Sequence, residues 1–217
     1  MAGTDRSGRP PLAKPVTDVP AGALPTLRRK ARACRACGLW KNATQTVFGA
    51  GPAAAQVMLV GEQPGNQEDL EGVPFVGRAG ALLDRALGEV GLERAALYVT
   101  NTVKHFKYEQ RGKARLHKRA NAEEQQACRG WLAAELREVN PGVIVALGAM
   151  AAQTLFGPAF RISAERGTWR RLTPQTQALA TWHPAAILRA PDPTREGLFR
   201  ELVSDLASIA GRLARPS

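Results

Sequence analysis

Four short apolar runs constrain the architecture of this chain more than anything else in it. They are Gln56–Val60, Ala96–Thr100, Val143–Leu147 and Ala178–Trp182. None alternates apolar with polar residues as a half-exposed strand does, so each reads as a strand buried on both faces. Helical patterns lie between and around them: Leu24–Leu39, Ala79–Val90, Asn121–Val139, Gly148–Phe156 and Arg195–Leu213. In the third of these, Cys128, Trp131, Leu132, Leu136 and Val139 fall near one face. Asn140-Pro141-Gly142 then makes a turn. Strands that alternate with helices call for a parallel sheet covered on both sides. The expected fold is α/β: a three-layer α/β/α sandwich around a central four-stranded parallel sheet. It occupies residues 25–217 as one domain, without repeats. Residues 1–24 are Pro-rich and poor in apolar surface and are expected to form a disordered tail.

Ligands of such sheets sit beyond the carboxyl ends of the strands. Polar residues recur there: Glu62 after the first strand, Asn101 after the second, His183 after the fourth. Three side chains far apart in sequence are therefore expected on one edge. The first strand opens into a Gly/Pro-rich stretch, Gly61–Gly80, that begins Gly-Glu-Gln-Pro-Gly and carries one aromatic residue, Phe75. A carboxylate, a flat ring and backbone that permits close approach suit a planar ligand. Glu62 reads either as an acid/base or electrostatic group or as a solvated, helix-capping carboxylate. The Asn101 amide can donate and accept at once, which matches the edge of uracil and not that of cytosine; the plainer alternative is a turn cap. His183, in Thr181-Trp-His-Pro184, is placed either to stabilise negative charge on a base carbonyl or simply to close the strand.

The net charge is +11 and the pI about 10.4, which points to a polyanionic partner, nucleic acid before membrane. The basic residues concentrate in Lys104–Arg119, which contains Lys104, Lys107, Arg111, Lys113, Arg115, Lys118 and Arg119 against the single acid Glu109. Such a loop is built to meet phosphates; His117 within it reads as one more exposed polar residue. No apolar run approaches the ~18 residues of a membrane span, and no signal-peptide pattern opens the chain. A cytoplasmic protein is expected, and nothing calls for more than a monomer.

Three cysteines do not make a disulfide framework. Cys34-x-x-Cys37 ends the first helical pattern and Cys128 lies far downstream, with His105 the obvious fourth ligand. Spacing alone leaves zinc, an iron–sulfur cluster, redox thiols and unrelated buried thiols open.

Taken together, these motifs resemble the uracil-DNA glycosylase superfamily over roughly residues 30–212, and most of all its iron–sulfur branch, family 4. Gly61–Gly80, Thr100-Asn-Thr-Val-Lys104 and His183-Pro184 occur in the family's order. Two departures from that branch, His105 where it has Cys and a long insertion between His105 and Cys128, resemble the UdgX subgroup, as does Gly61-Glu-Gln-Pro-Gly65. The resemblance implies a structural [4Fe–4S] cluster on Cys34, Cys37, His105 and Cys128. It implies uracil bound by Asn101, Phe75, Gln63 and His183, with Glu62, Gln63, His183 and His117 in catalysis. His117, closing Lys113-Ala-Arg-Leu-His117, would bond covalently to the deoxyribose after uracil leaves; Ala114 departs from the fuller basic run of the subgroup. Arg189 would join the basic loop on DNA, and Ile187, Leu188 and Arg189 would wedge into the gap left by the base. The implied partner is uracil-containing DNA, single-stranded or with the base flipped out, and free uracil is the product. Two rivals remain: an ordinary multi-turnover glycosylase, and a non-enzymatic DNA-binding iron–sulfur damage sensor.

Overall fold

The computed structural model describes Leu12 and residues 16–213. Its strands are β1 (Val57–Gly61), β2 (Tyr98–Asn101), β3 (Tyr108–Arg111), β4 (Ala114–His117), β5 (Val143–Leu147), β6 (Arg170–Arg171) and β7 (Gln177–Thr181). Its helices are α1 (Leu24–Ala31), α2 (Asn66–Glu71), α3 (Arg78–Glu89), α4 (Ala122–Val139), α5 (Ala149–Phe156), α6 (Ile162–Glu165), α7 (Pro184–Arg189) and α8 (Thr194–Leu213). The central sheet runs β2-β1-β5-β7-β6, and β3 and β4 form a separate hairpin. The four expected strands pair in parallel, with Gly61 opposite Asn101 and Leu147 opposite Thr181.

Successive strand residues point to opposite faces, and the core divides accordingly. Met58, Val60, Ile144, Ala146, Ala178 and Ala180 pack with Leu27 of α1, Leu132 and Leu136 of α4 and Leu155 of α5. Val57, Leu59, Val143, Val145 and Leu179 pack with Leu83 and Leu87 of α3, Ile187 of α7, and Leu202 and Leu206 of α8. Both sheet faces are thus covered, as their apolar, non-alternating sequences require. Asn121 caps α4 by accepting from Glu124 N–H, and Asn140 ends that helix in a left-handed conformation, φ 46°.

Several local features differ from expectation. The sheet has a fifth strand, the two-residue antiparallel β6, whose Arg170-Arg171 carries no apolar signal. The first helix stops at Ala31, where Ala33 and Cys34 turn back to the carbonyls of Lys30 and Ala31; a 3-10 turn, Gly38–Lys41, follows. The basic segment, read as a loop, is a hairpin turning through Gly112 at φ 57°. Part of the expected tail is docked. Arg137 donates to Pro20 O at 2.9 Å, Lys30 to Ala21 O at 2.9 Å, and Val19 packs against the core. The rest of that tail, residues 1–11 and 13–15, lies outside the described residues, as do residues 214–217. No described helix is long and apolar enough to cross a membrane.

Candidate active site

The carboxyl ends of β1, β2 and β7 open onto a cleft of about 400 Å³. Glu62, Gln63, Phe75, Asn101, His117, His183 and Arg189 all line it. Asn101 is 2% exposed, and its Oδ1 has no partner in the protein. A buried carbonyl oxygen without a donor is costly unless a ligand supplies one. Phe75 holds its backbone at φ 56° and stacks on His183 with ring centres 5.8 Å apart. That placement needs Gly61: a Cβ there would lie 2.3 Å from Asn101 Oδ1 and 2.6 Å from the Phe75 ring.

His183 caps α7. Its Nδ1 accepts from Ala185 N–H at 3.1 Å, so its ring proton sits on Nε2. Burial pushes its pKa down to about 4, with Arg189 and His117 acting in the same direction. It is therefore a neutral donor across the physiological range. Glu62 is fixed through its backbone, because its carbonyl accepts from Val103 N–H at 3.0 Å and from Thr102 Oγ1 at 2.5 Å.

His117 ends β4 at the mouth of the cleft, its ring 6.1 Å from that of Phe106. Desolvation by the cleft walls lowers its pKa below 6.5; Glu62 and Glu68 pull upward and Arg189 downward. These influences favour the neutral form of the imidazole near pH 7. The hairpin that carries it is clamped at its base by Gln63. The Gln63 amide donates to Lys118 O at 3.0 Å and Lys107 O at 3.2 Å, and accepts from Ala120 N–H at 3.1 Å. Gln63 lines the cleft as expected, but its polar atoms hold the hairpin. Arg115 clamps the far side, donating to Asp69 at 2.7 Å and to Asn66 Oδ1 at 2.7 Å.

The basic residues divide. Arg111, Lys113, Lys118, Arg119 and Arg189 are exposed at the surface, where Lys118 pairs with Glu109 at 2.6 Å and Arg119 donates to Gln153. Lys107 is paired with Glu124 at 2.8 Å, and Arg115 with the buried Asp69. Lys104 was expected at the DNA but is only 1% exposed, bonded to Glu135 at 2.5 Å beneath the cleft floor. Ile187 is also withdrawn from the expected wedge: it is fully buried in the core. Sequence inspection missed Glu68, whose carboxylate lines the cleft and accepts from Gly65 N–H at 3.0 Å and Gly77 N–H at 2.9 Å. Its signal was a carboxylate three residues past Gly65, the spacing of a helix-start cap.

His105 has the chemistry of a ligand. Thr46 Oγ1 gives its proton to Ala31 O, so it can only accept from His105 Nε2–H, at 2.9 Å. Nδ1 is then a bare lone pair, and it is buried without a partner. Burial keeps the ring neutral. Cys37 and Cys128 are hydrogen-bonded to each other, which draws the Cys37 thiol down to about 6 and raises that of Cys128. Cys34 Sγ accepts from Trp131 Nε1 at 3.3 Å. Among the described residues no three such donors converge on one ion. A cubane cluster, in which each iron takes its own ligand, does not ask for that.

Residues 48–207 match the family described as the Uracil DNA glycosylase superfamily. Similar proteins include the Type-4 uracil-DNA glycosylase of Archaeoglobus fulgidus, 35% identical over 86% of this chain and 92% of that protein. The Type-4 uracil-DNA glycosylase of Thermotoga maritima is 37% identical over 74% of this chain and 80% of that protein. That of Saccharolobus solfataricus is 34% identical over 85% and 87%.

Proposed function

Because the chain belongs to the uracil-DNA glycosylase superfamily, we propose that it excises uracil from DNA and then stays joined, through His117, to C1′ of the abasic site. The observation that carries this reading is a neutral imidazole, His117, in the same cleft as Glu62, Asn101, Phe75 and His183.

The target base enters single-stranded or flipped out of the duplex. Phe75 stacks on it, a contact worth about 1–3 kcal/mol. The orphaned Asn101 Oδ1 accepts from uracil N3–H; cytosine offers no proton there. His183 Nε2–H donates to O2 as the C1′–N1 bond breaks and its electron pair leaves with the base. The sugar develops oxocarbenium character, which the Glu62 carboxylate stabilises. A His117 nitrogen then gives its lone pair to C1′, and Glu62 takes the displaced ring proton. An alkylated imidazole is a poor leaving group, so the new C–N bond resists hydrolysis and one molecule completes one turnover. His105 and the hairpin insertion support the reading of a UdgX-type member.

Cys34, Cys37, His105 and Cys128 would hold a [4Fe–4S] cluster, which would supply a structural cross-link between the segment after α1, the loop after β2, and α4. The names of the relatives favour a second reading, an ordinary multi-turnover glycosylase in which His117 touches only phosphate. A denaturing gel separates the two. Uracil DNA is expected to give a protein–DNA band that survives boiling in SDS, with wild type and not with His117→Ala. Free uracil released over many turnovers without that band would leave the ordinary enzyme.

A further inference from the structure

Beneath the cleft floor lies a closed network that the chemistry above does not use. Lys104 and Glu135 are 1% and 0% exposed. An ammonium has three protons, and Lys104 places them on three acceptors: Glu135 Oε2 at 2.5 Å, Asn101 O at 2.6 Å and Thr100 Oγ1 at 2.7 Å. Glu135 is fixed from the other side. Its Oε1 accepts from Gly49 N–H at 2.8 Å, Tyr98 Oη at 3.1 Å and Thr100 Oγ1 at 3.0 Å. Gly49 is packed so closely that a Cβ would lie 2.5 Å from Glu135 Oε1. No donor of Lys104 is left for a phosphate.

Such a pair is a poor way to gain stability, because desolvating two charges offsets most of their attraction and apolar residues of that size usually do as well. Its geometric effect is specific. The carbonyl that Lys104 holds belongs to Asn101, and the peptide it begins donates Thr102 N–H to Gly61 O at 2.9 Å. The next residues hold the Glu62 carbonyl. One ammonium therefore pins the short segment that carries the base-reading amide and supports the carboxylate.

We propose that Lys104 is a positioning residue for base selection: by holding the Asn101 carbonyl it fixes the aim of the Asn101 amide, and Glu135 neutralises its buried charge. This rests on the reading of Asn101 as the group that distinguishes uracil. An amide free to turn over would present to cytosine the pattern that cytosine needs.

The test compares Glu135→Gln, the double variant Lys104→Met/Glu135→Gln, and Asn101→Ala as reference. The measurements are melting temperature, single-turnover excision from uracil and cytosine oligonucleotides, and binding to DNA with a tetrahydrofuran abasic analogue. Glu135→Gln is expected to melt lower yet keep the uracil preference, since Lys104 still reaches the Asn101 carbonyl. The double variant is expected to lose about tenfold or more of that preference, the size of one charged hydrogen bond, with abasic-analogue binding unchanged. A folded double variant with wild-type preference would overturn the proposal. So would a folded Glu135→Gln that has lost the preference, an outcome that decides the matter even if the double variant does not fold. If Asn101→Ala itself keeps the preference, the fault lies with the reading of Asn101 and not with Lys104.

Discussion

The Arg115 guanidinium lies 2.7 Å from the Asp69 carboxylate, and Asp69 is fully buried. Arg115 is two residues before His117 on β4, and Asp69 sits in α2, inside the loop that also supplies Glu62 and Phe75. The same carboxylate accepts from Thr44 N–H at 2.9 Å, and the guanidinium lies over the rings of Tyr108 and Phe106. The pair ties the hairpin bearing the proposed nucleophile to the loop that shapes the pocket.

Arg115→Ala should therefore loosen His117 without touching the groups that release uracil. Placement of a nucleophile within an ångström controls rate steeply. The expected result is adduct formation about 10- to 100-fold slower, with base release changed far less. The check is a single-turnover time course that follows free uracil and the SDS-stable band in one reaction. If both fall equally, the hairpin contributes to leaving-group departure and not only to capture.

The pH dependence follows from the direction of the His117 shift. Its pKa is held below 6.5 by desolvation, with Arg189 adding to the effect. The proposed nucleophile is the neutral ring, which persists above that pKa and is lost as pH falls through it. Adduct formation is therefore expected to be flat through pH 7 and to reach half its plateau rate below pH 6.5. Arg189→Ala removes one lowering influence and should move that midpoint upward. A wild-type midpoint above 6.5 would contradict the desolvated placement of the ring.

Sequence patterns disclosed the framework because burial leaves a periodic mark. Strands such as Val143–Leu147 show no alternation, and that alone implies two covered faces. The strand-end positions of Glu62, Asn101 and His183 follow from the sheet. The hairpin was not legible: β3 and β4 are mostly exposed, and their anchors come from residues far away in sequence, Gln63 and Asp69. Lys104 was misplaced for the same reason. A lysine in a basic run reads as phosphate-binding, and the acid that buries it, Glu135, stands 31 residues later on α4. Only the packing of α4 against the sheet brings the two together.

His183 has two separable jobs, one on each ring nitrogen. Nδ1 caps α7, and in the proposed reaction Nε2–H donates to the base from the cleft wall. An Asn side chain can accept from Ala185 N–H in place of Nδ1 but does not extend to the position of Nε2. His183→Asn is expected to keep its melting temperature within a few degrees while excision falls by about 100- to 1,000-fold, as for loss of one charge-stabilising donor. Thermal melting beside single-turnover excision checks both halves. A large drop in melting temperature would mean that the cap had failed and the rate had fallen for structural reasons.

The cluster assignment makes its strongest claim at His105, because its Nδ1 is a buried lone pair with no protein donor. A lone pair in that position stabilises the fold only when something accepts it. Purified protein should be brown, with iron and sulfide each near about four per chain. His105→Ala should lower the iron content and the melting temperature together, whereas His105→Cys, which offers a thiolate to the same iron, should restore both. Thr46→Val probes the support from behind: it removes the oxygen that fixes the ring proton on Nε2, and second-shell losses of this kind weaken metal binding about 10- to 100-fold. Iron retention during timed exposure to a chelator measures that effect without reference to activity. Colourless protein loaded with zinc would show that the same four residues hold a different metal, and full iron content in His105→Ala would show that the cluster does not use the imidazole.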